Sequence, residues 1–326
     1  MAANGLGLIT PFEGVMNGNN PLGLEPVLTP LNAFDFFDFG NSLKNHTGQP
    51  TSTHWTEAGN WMVDIAQQIG LTVRGGHRFG YPEEHTAVSW PGGVTVTGTF
   101  GDPEDTPLSD GNFAGHNLSK FVVMASNWRE EDMGPPPECD DPITTALAIF
   151  QTLYDNIQGV YPGSDFIFYV TLQEALDTVY SGGENMSRAT MTQFNTDAQA
   201  GILNWYVQMQ NAMIASGRPC LTIPMGPILA WLLENESYLQ PLQFSQMFSD
   251  GAPHGREPMY CLAGLICLTA IARQPLDMSS YIFPGDTIEM LSEITSNIQT
   301  IANQIFARLE YYNELSGSSR VIVFDE

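Results

Sequence analysis

The chain has 326 residues, with 36 acidic against 11 basic side chains and a formal net charge of −25; Lys44 and Lys120 are its only lysines. Such a surface repels phosphate backbones and anionic lipid, which excludes nucleic-acid binding as a function. Hydrophobic residues make up 43%, enough for a sizeable core, and no run reaches the ~20 unbroken apolar residues of a membrane span.

Residues 1–33 are rich in Gly, Asn and Pro without a period and read as an irregular arm, and 34–326 read as one domain. Phe34 to Phe39 is a short aromatic strand. His54 to Ile69 carries apolar residues at helical spacing, and Gly70 follows as its stop. Leu71-Thr72-Val73 is a second strand, so that Gly75-Gly76-His77 falls in the loop behind it. The 77–120 region is an elaborated loop in which Gly93 to Phe100 alternates like a strand. Phe121 to Ala125 is a buried strand, and Asp141-Pro142 opens a helix. Asp165 to Val170 is a strand, Thr196 to Ser216 a helix, and Leu221-Thr222-Ile223 the fifth strand. Helices over Pro258–Arg273 and Asp286–Leu315 close the chain. Short apolar strands alternating with helices predict a three-layer α/β/α fold on a five-stranded parallel, flavodoxin-like sheet.

Cys139, Cys220, Cys261 and Cys267 form no C-x-x-C pair, and the last three lie in apolar runs as small core residues. Two acidic loops, Asp102 to Asp110 and Glu130 to Asp141, lack the spacing of an EF-hand; a structural calcium site is the sharper reading of them and plain solubility the simpler one. Met1-Ala2-Ala3-Asn4 lacks the basic and apolar regions of a signal peptide, which leaves the compartment open.

Ligands of open parallel sheets bind beyond the carboxyl ends of the strands. The turns there are Gly40-Asn41-Ser42-Leu43, Gly75-Gly76-His77 and Ser126-Asn127-Trp128, with Asp250-Gly251-Ala252-Pro253-His254 late in the chain. A serine hydroxyl becomes a nucleophile when a neutral imidazole takes its proton, and a carboxylate holds that imidazole in the right tautomer.

The order of these turns resembles the SGNH (GDSL-like) hydrolases over roughly residues 34 to 275, with Gly40-Asn41-Ser42-Leu43 matching the family's G-[DN]-S-L turn. The resemblance implies a carboxylic-ester hydrolase with Ser42 as nucleophile, His254 as base and Asp250 as its orienter. It also implies an oxyanion hole from the Ser42 amide, Gly75 or Gly76, and the Asn127 side chain. The implied substrate is a small acyl or aryl ester, or an O-acetyl group on a glycan; Trp128 and His46 are the expected substrate contacts, and no metal or cofactor is implied. Two departures stand out: Asp250 to His254 is one residue longer than the family's D-x-x-H, and the G-x-N-D block appears as Ala125-Ser126-Asn127-Trp128. A displaced Asp250 would leave a non-catalytic carbohydrate-binding protein on the same fold, the alternative reading. A structural protein ordered by calcium is a further one.

Overall fold

A computed structural model describes residues 30–45, 55–96, 98–100, 113–124 and 142–316. His46, Asn127, Trp128, Cys139, both acidic loops and the arm up to residue 29 lie outside the described residues.

The sheet runs β1 (Ala33–Gly40), β2 (Thr72–Phe79), β3 (Gly98–Phe100), β4 (Lys120–Val123), β5 (Asp165–Tyr169) and β6 (Leu221–Ile223). Its spatial order is β3-β2-β1-β4-β5-β6. Five strands are parallel, and β3 is added antiparallel on the β2 edge, opposite Gly75 to His77. The parallel strands thus have the flavodoxin-like order, with the direction of winding reversing at β1.

Helix α1 (Ala58–Gln68) links β1 to β2, and α3 (Pro142–Val160) precedes β5; between them lies the short α2 (Pro82–Thr86). The later helices are α4 (Arg188–Ala215), α5 (Met225–Asn235), α6 (Phe244–Met247), α7 (Glu257–Ala272), α8 (Ser292–Thr295) and α9 (Ile298–Ser316). Right-handed crossovers in opposite directions from the centre place α1 on one face of the sheet and α3 on the other. Helix α1 packs on α7, α9 covers α7 from outside, and α3 and α4 pack together.

β1 is buried on both sides because it is central: Phe36, Phe37, Asp38 and Phe39 have no exposed surface. Successive side chains point to opposite faces. Phe36 stacks on Phe100, whereas Phe37 and Phe39 meet Phe113. All sixteen residues of α7 are buried, which explains why it is apolar all round apart from Glu257 and Thr269. Cys220, Cys261 and Cys267 are free and buried.

Several elements depart from the sequence-based expectation. β2 extends to Phe79, since Gly75 and Gly76 pair with Phe36 and Phe37. Helix α4 begins at Arg188, eight residues ahead of Thr196, because the Ser187 hydroxyl accepts the Thr190 amide as an N-cap. Helix α5 follows β6 directly, with Pro227 in its first turn, where proline is tolerated. The segment ahead of α8 is not helical: the buried Glu257 carboxylate accepts the amides of Ile288 and Glu289, at 2.9 and 2.8 Å, and Asp286 accepts the Trp55 indole N–H. No helix of the described residues is long and apolar enough to cross a membrane.

Candidate active site

Ser42 stands two residues beyond β1, at the carboxyl edge of the sheet where the direction of winding reverses, the place at which open parallel sheets bind ligands. Its turn is tightly determined. The Asn41 side chain accepts the Leu43 amide at 3.0 Å, and the Asn41 carbonyl accepts the amides of Lys44 and Asn45 at 3.1 Å each. This is an Asx turn running into a single helical turn. Lys44 then sends its side chain back beneath the turn to Asp38 of β1, at 2.6 Å, with neither side chain exposed. The Lys44 ammonium also lies 4.8 Å from the centre of the Tyr169 ring.

The histidine arrives on a closed hairpin between α6 and α7. Ser249 donates its amide to the His254 carbonyl at 2.8 Å, and Arg256 donates to the Met247 carbonyl at 2.8 Å. The Gly251 carbonyl accepts the Ala175 amide at 2.7 Å, which ties the loop to the segment behind β5. Within the hairpin, Asp250 Oδ1 accepts the amides of Ala252 and His254 at 2.9 and 3.1 Å. That turn absorbs the extra residue of the Asp250–His254 spacing.

Ser42, His254 and Asp250 meet in one chain of hydrogen bonds. His254 Nδ1 is 2.7 Å from Asp250 Oδ2, and His254 Nε2 is 2.7 Å from Ser42 Oγ. An ionised carboxylate only accepts, so Nδ1 carries the imidazole proton and Nε2 is left to accept from the Ser42 hydroxyl. Burial raises the Asp250 pKa, but hydrogen bonds from the His254 ring and amide outweigh it, and the carboxyl ends below its ordinary value. The charge that stabilises an imidazolium is therefore present at neutral pH.

Gly75 and Gly76 are not brought to this site. They lie inside β2, level with Phe36 and Phe37, whereas Gly40 is level with Phe79. At about 3.3 Å per residue they stand about 13 and 10 Å below Gly40 along the sheet, beyond reach of a charge forming at Ser42. Gly75 serves packing instead, since a Cβ there would lie 2.4 Å from the Phe36 ring. The glycine level with the Ser42 turn is Gly80, whose amide is already donated to the Gly40 carbonyl at 3.0 Å. Phe79 and Tyr81, 41% and 40% exposed, flank it at the end of β2.

Two residues near the site carried no signal in the sequence. Tyr260, on the first turn of α7, donates its hydroxyl to the Ser42 carbonyl at 2.6 Å. Glu57, next to the start of α1, pairs through its backbone with Asn45, and burial pushes its carboxyl up to about 7. His77 and His85 are both buried and form no cluster with Ser42, His254 and Asp250; burial, with the nearby charges of Lys44 and Arg78 respectively, lowers each to about 4. Among the described residues no group of His, Cys, Asp and Glu is placed to hold a metal ion.

No protein-family model and no curated protein matches the chain. Solved structures align with it at low similarity. An acetylxylan esterase from Geobacillus stearothermophilus is 8% identical with a TM-score of 0.40, covering 74% of this chain and 94% of that one. A GDSL-like lipase from Parabacteroides merdae is 9% identical with a TM-score of 0.38, covering 76% and 99%.

Proposed function

We propose that the chain is a serine hydrolase of carboxylic esters, with Ser42 as nucleophile, His254 as general base and acid, and Asp250 as the group that orients the imidazole. The observation that carries this reading is the continuous Ser42–His254–Asp250 hydrogen-bond chain at the carboxyl edge of the sheet. Two distant parts of the sequence, the Ser42 turn and the Asp250–His254 loop, meet there in the order that proton transfer requires.

In the reaction, Ser42 Oγ attacks the ester carbonyl carbon as Nε2 takes the hydroxyl proton. The C=O π electrons move onto the carbonyl oxygen, giving a tetrahedral oxyanion. Collapse expels the alcohol, which leaves with the proton from the imidazolium, and an acyl-Ser42 ester remains. Water, deprotonated by the same Nε2, then attacks the acyl carbon; Ser42 leaves and recovers its proton. Donors fixed on the oxyanion are worth about 3–4 kcal/mol each. The Ser42 amide and the Asn127 side chain are the proposed donors, Asn127 on sequence position alone.

Small acyl or aryl esters and O-acetyl groups on a glycan are the substrate classes in view, and the exposed rings of Phe79 and Tyr81 offer them an apolar face. A binding protein with a disabled triad has less support, since the extra residue ahead of His254 leaves the carboxylate in contact with the ring.

Hydrolysis of p-nitrophenyl esters from acetate to octanoate, by the native chain and by Ser42→Ala, tests the reading. Turnover that disappears in Ser42→Ala is the expected result, and the chain-length profile sizes the acyl pocket. A folded native chain that neither turns over any ester nor reacts with a fluorophosphonate would overturn it.

A further inference from the structure

The nucleophile and its base sit on backbones that are far apart in sequence, and one buried atom touches both. The Tyr260 hydroxyl donates to the Ser42 carbonyl oxygen at 2.6 Å and accepts the Gly255 amide at 3.3 Å. Gly255 is the residue after His254. A phenol oxygen has one proton to give and lone pairs to receive, so both contacts are made at once. Tyr260 has no exposed surface. Burial raises its pKa well above the ordinary phenol value, so the hydroxyl stays a donor throughout the working pH range.

The peptide unit between Ser42 and Leu43 is gripped from both sides. Its carbonyl is held by Tyr260, and its N–H by the Asn41 side chain at 3.0 Å. Fixing that plane fixes ψ of Ser42, and with it the direction in which Oγ leaves the backbone. On the other side, Gly255 lies so close to α7 that a Cβ would stand 2.9 Å from Tyr260 Cε2 and 2.0 Å from Met259 Cε. Only a glycine lets the histidine loop settle onto the tyrosine ring. Helix α7 is buried along its whole length and gives the phenol a rigid mount.

We propose that Tyr260 is a positioning residue that sets the Ser42–His254 distance through this single hydroxyl. The inference rests on the hydrolase reading of the same site. Without the hydroxyl the two loops keep their own internal bonds but lose their common reference. A misplacement on the order of 1 Å costs about a hundredfold in such a reaction.

The test is Tyr260→Phe, which keeps the ring and removes the oxygen. Rates are measured per folded molecule, on p-nitrophenyl acetate and as the rate of Ser42 labelling by a fluorophosphonate. The expected result is a kcat lower by about 10- to 100-fold, a KM within about twofold of native, and labelling slowed in parallel with kcat. p-Aminophenylalanine at position 260 keeps a weaker para donor and is expected to fall between, at about a 3- to 10-fold loss. A purely structural tyrosine would lower Tm and leave these rates unchanged, so native-like rates in Tyr260→Phe overturn the proposal. If Tyr260→Phe does not fold, the p-aminophenylalanine chain decides, and a rate within twofold of native overturns it. Failure of the native chain itself to label at Ser42 removes the hydrolase reading and this inference together, an outcome distinct from equal labelling of native and variant.

Discussion

Asp250 reaches His254 twice: its Oδ2 stands 2.7 Å from the ring Nδ1, and its Oδ1 accepts the His254 backbone N–H at 3.1 Å. The second contact decides what an amide would do in its place. In Asp250→Asn the amides of Ala252 and His254 keep the side-chain oxygen at the Oδ1 position, because they are donors. The NH₂ group then faces Nδ1 and forces the imidazole proton onto Nε2. An Nε2 that carries a proton does not accept one from Ser42. The expected outcome is a kcat lower by about 10⁴-fold, with the fold intact by circular dichroism. A loss below about tenfold on p-nitrophenyl acetate would mean that the carboxylate does not set the tautomer.

Lys44 and Asp38 make an ion pair beneath the Ser42 turn with neither side chain exposed. Burial raises the Asp38 pKa, and the Lys44 ammonium and hydrogen bond act against that rise. Lys44→Met therefore strands a carboxyl in the core and is expected to cost about 3–5 kcal/mol of folding stability. Asp38→Asn combined with Lys44→Met removes the stranded charge, and should recover a large part of that loss in urea titrations. A double variant no more stable than Lys44→Met would show that the pair is not coupled.

The sheet and the contact between the Ser42 turn and the Asp250–His254 loop were legible in the sequence because each rests on a local pattern. Phe34 to Phe39 has the composition of a central strand, Gly70 ends α1 at a φ of 82°, and Gly40-Asn41-Ser42-Leu43 carries its own turn chemistry. Gly75-Gly76 reads as a loop in the sequence, whereas here it is a pair of strand residues that bond to β3, with Gly75 making room for Phe36. Tyr260 is invisible in the same way: in an apolar helix a tyrosine reads as core, and only the fold reveals that its hydroxyl ends at Ser42, 218 residues away. Glu57 likewise looks like an ordinary surface residue until the 44–45 backbone closes over it.

Gly264 lies where α7 packs tightly on α1. A Cβ added there would lie 2.6 Å from Trp61 Cβ and 2.7 Å from the Ala58 carbonyl oxygen, neither of which swings aside. Gly264→Ala must push α1 away from α7, with an expected loss of about 1–3 kcal/mol. Helix propensity alone predicts the opposite sign, since Gly to Ala in a helix interior stabilises by about 1 kcal/mol. A fall in the urea midpoint at constant slope supports the close packing, and a rise would contradict it.

His77, His85 and Glu57 each tie stability to pH. His77 and His85 titrate near 4 in the folded chain, against about 6.5 when unfolded. Across that window the unfolded chain binds protons that the folded one refuses, so these groups make stability rise with pH. Glu57 acts in the other direction: its folded value of about 7 lies above the unfolded 4.5, so its contribution is complete at low pH and is lost as pH rises through 7. By themselves these three groups give a rise between about pH 4 and 6.5 that levels off near pH 7. Glu57→Gln, which cannot ionise, isolates the Glu57 contribution. It is expected to exceed the native chain by about 1 kcal/mol at pH 5 and by up to ~3 kcal/mol at pH 8, where the full displacement is expressed. Urea titrations at pH 5 and pH 8 read this directly, and an equal difference between the two chains at both values would show that burial does not hold Glu57 neutral.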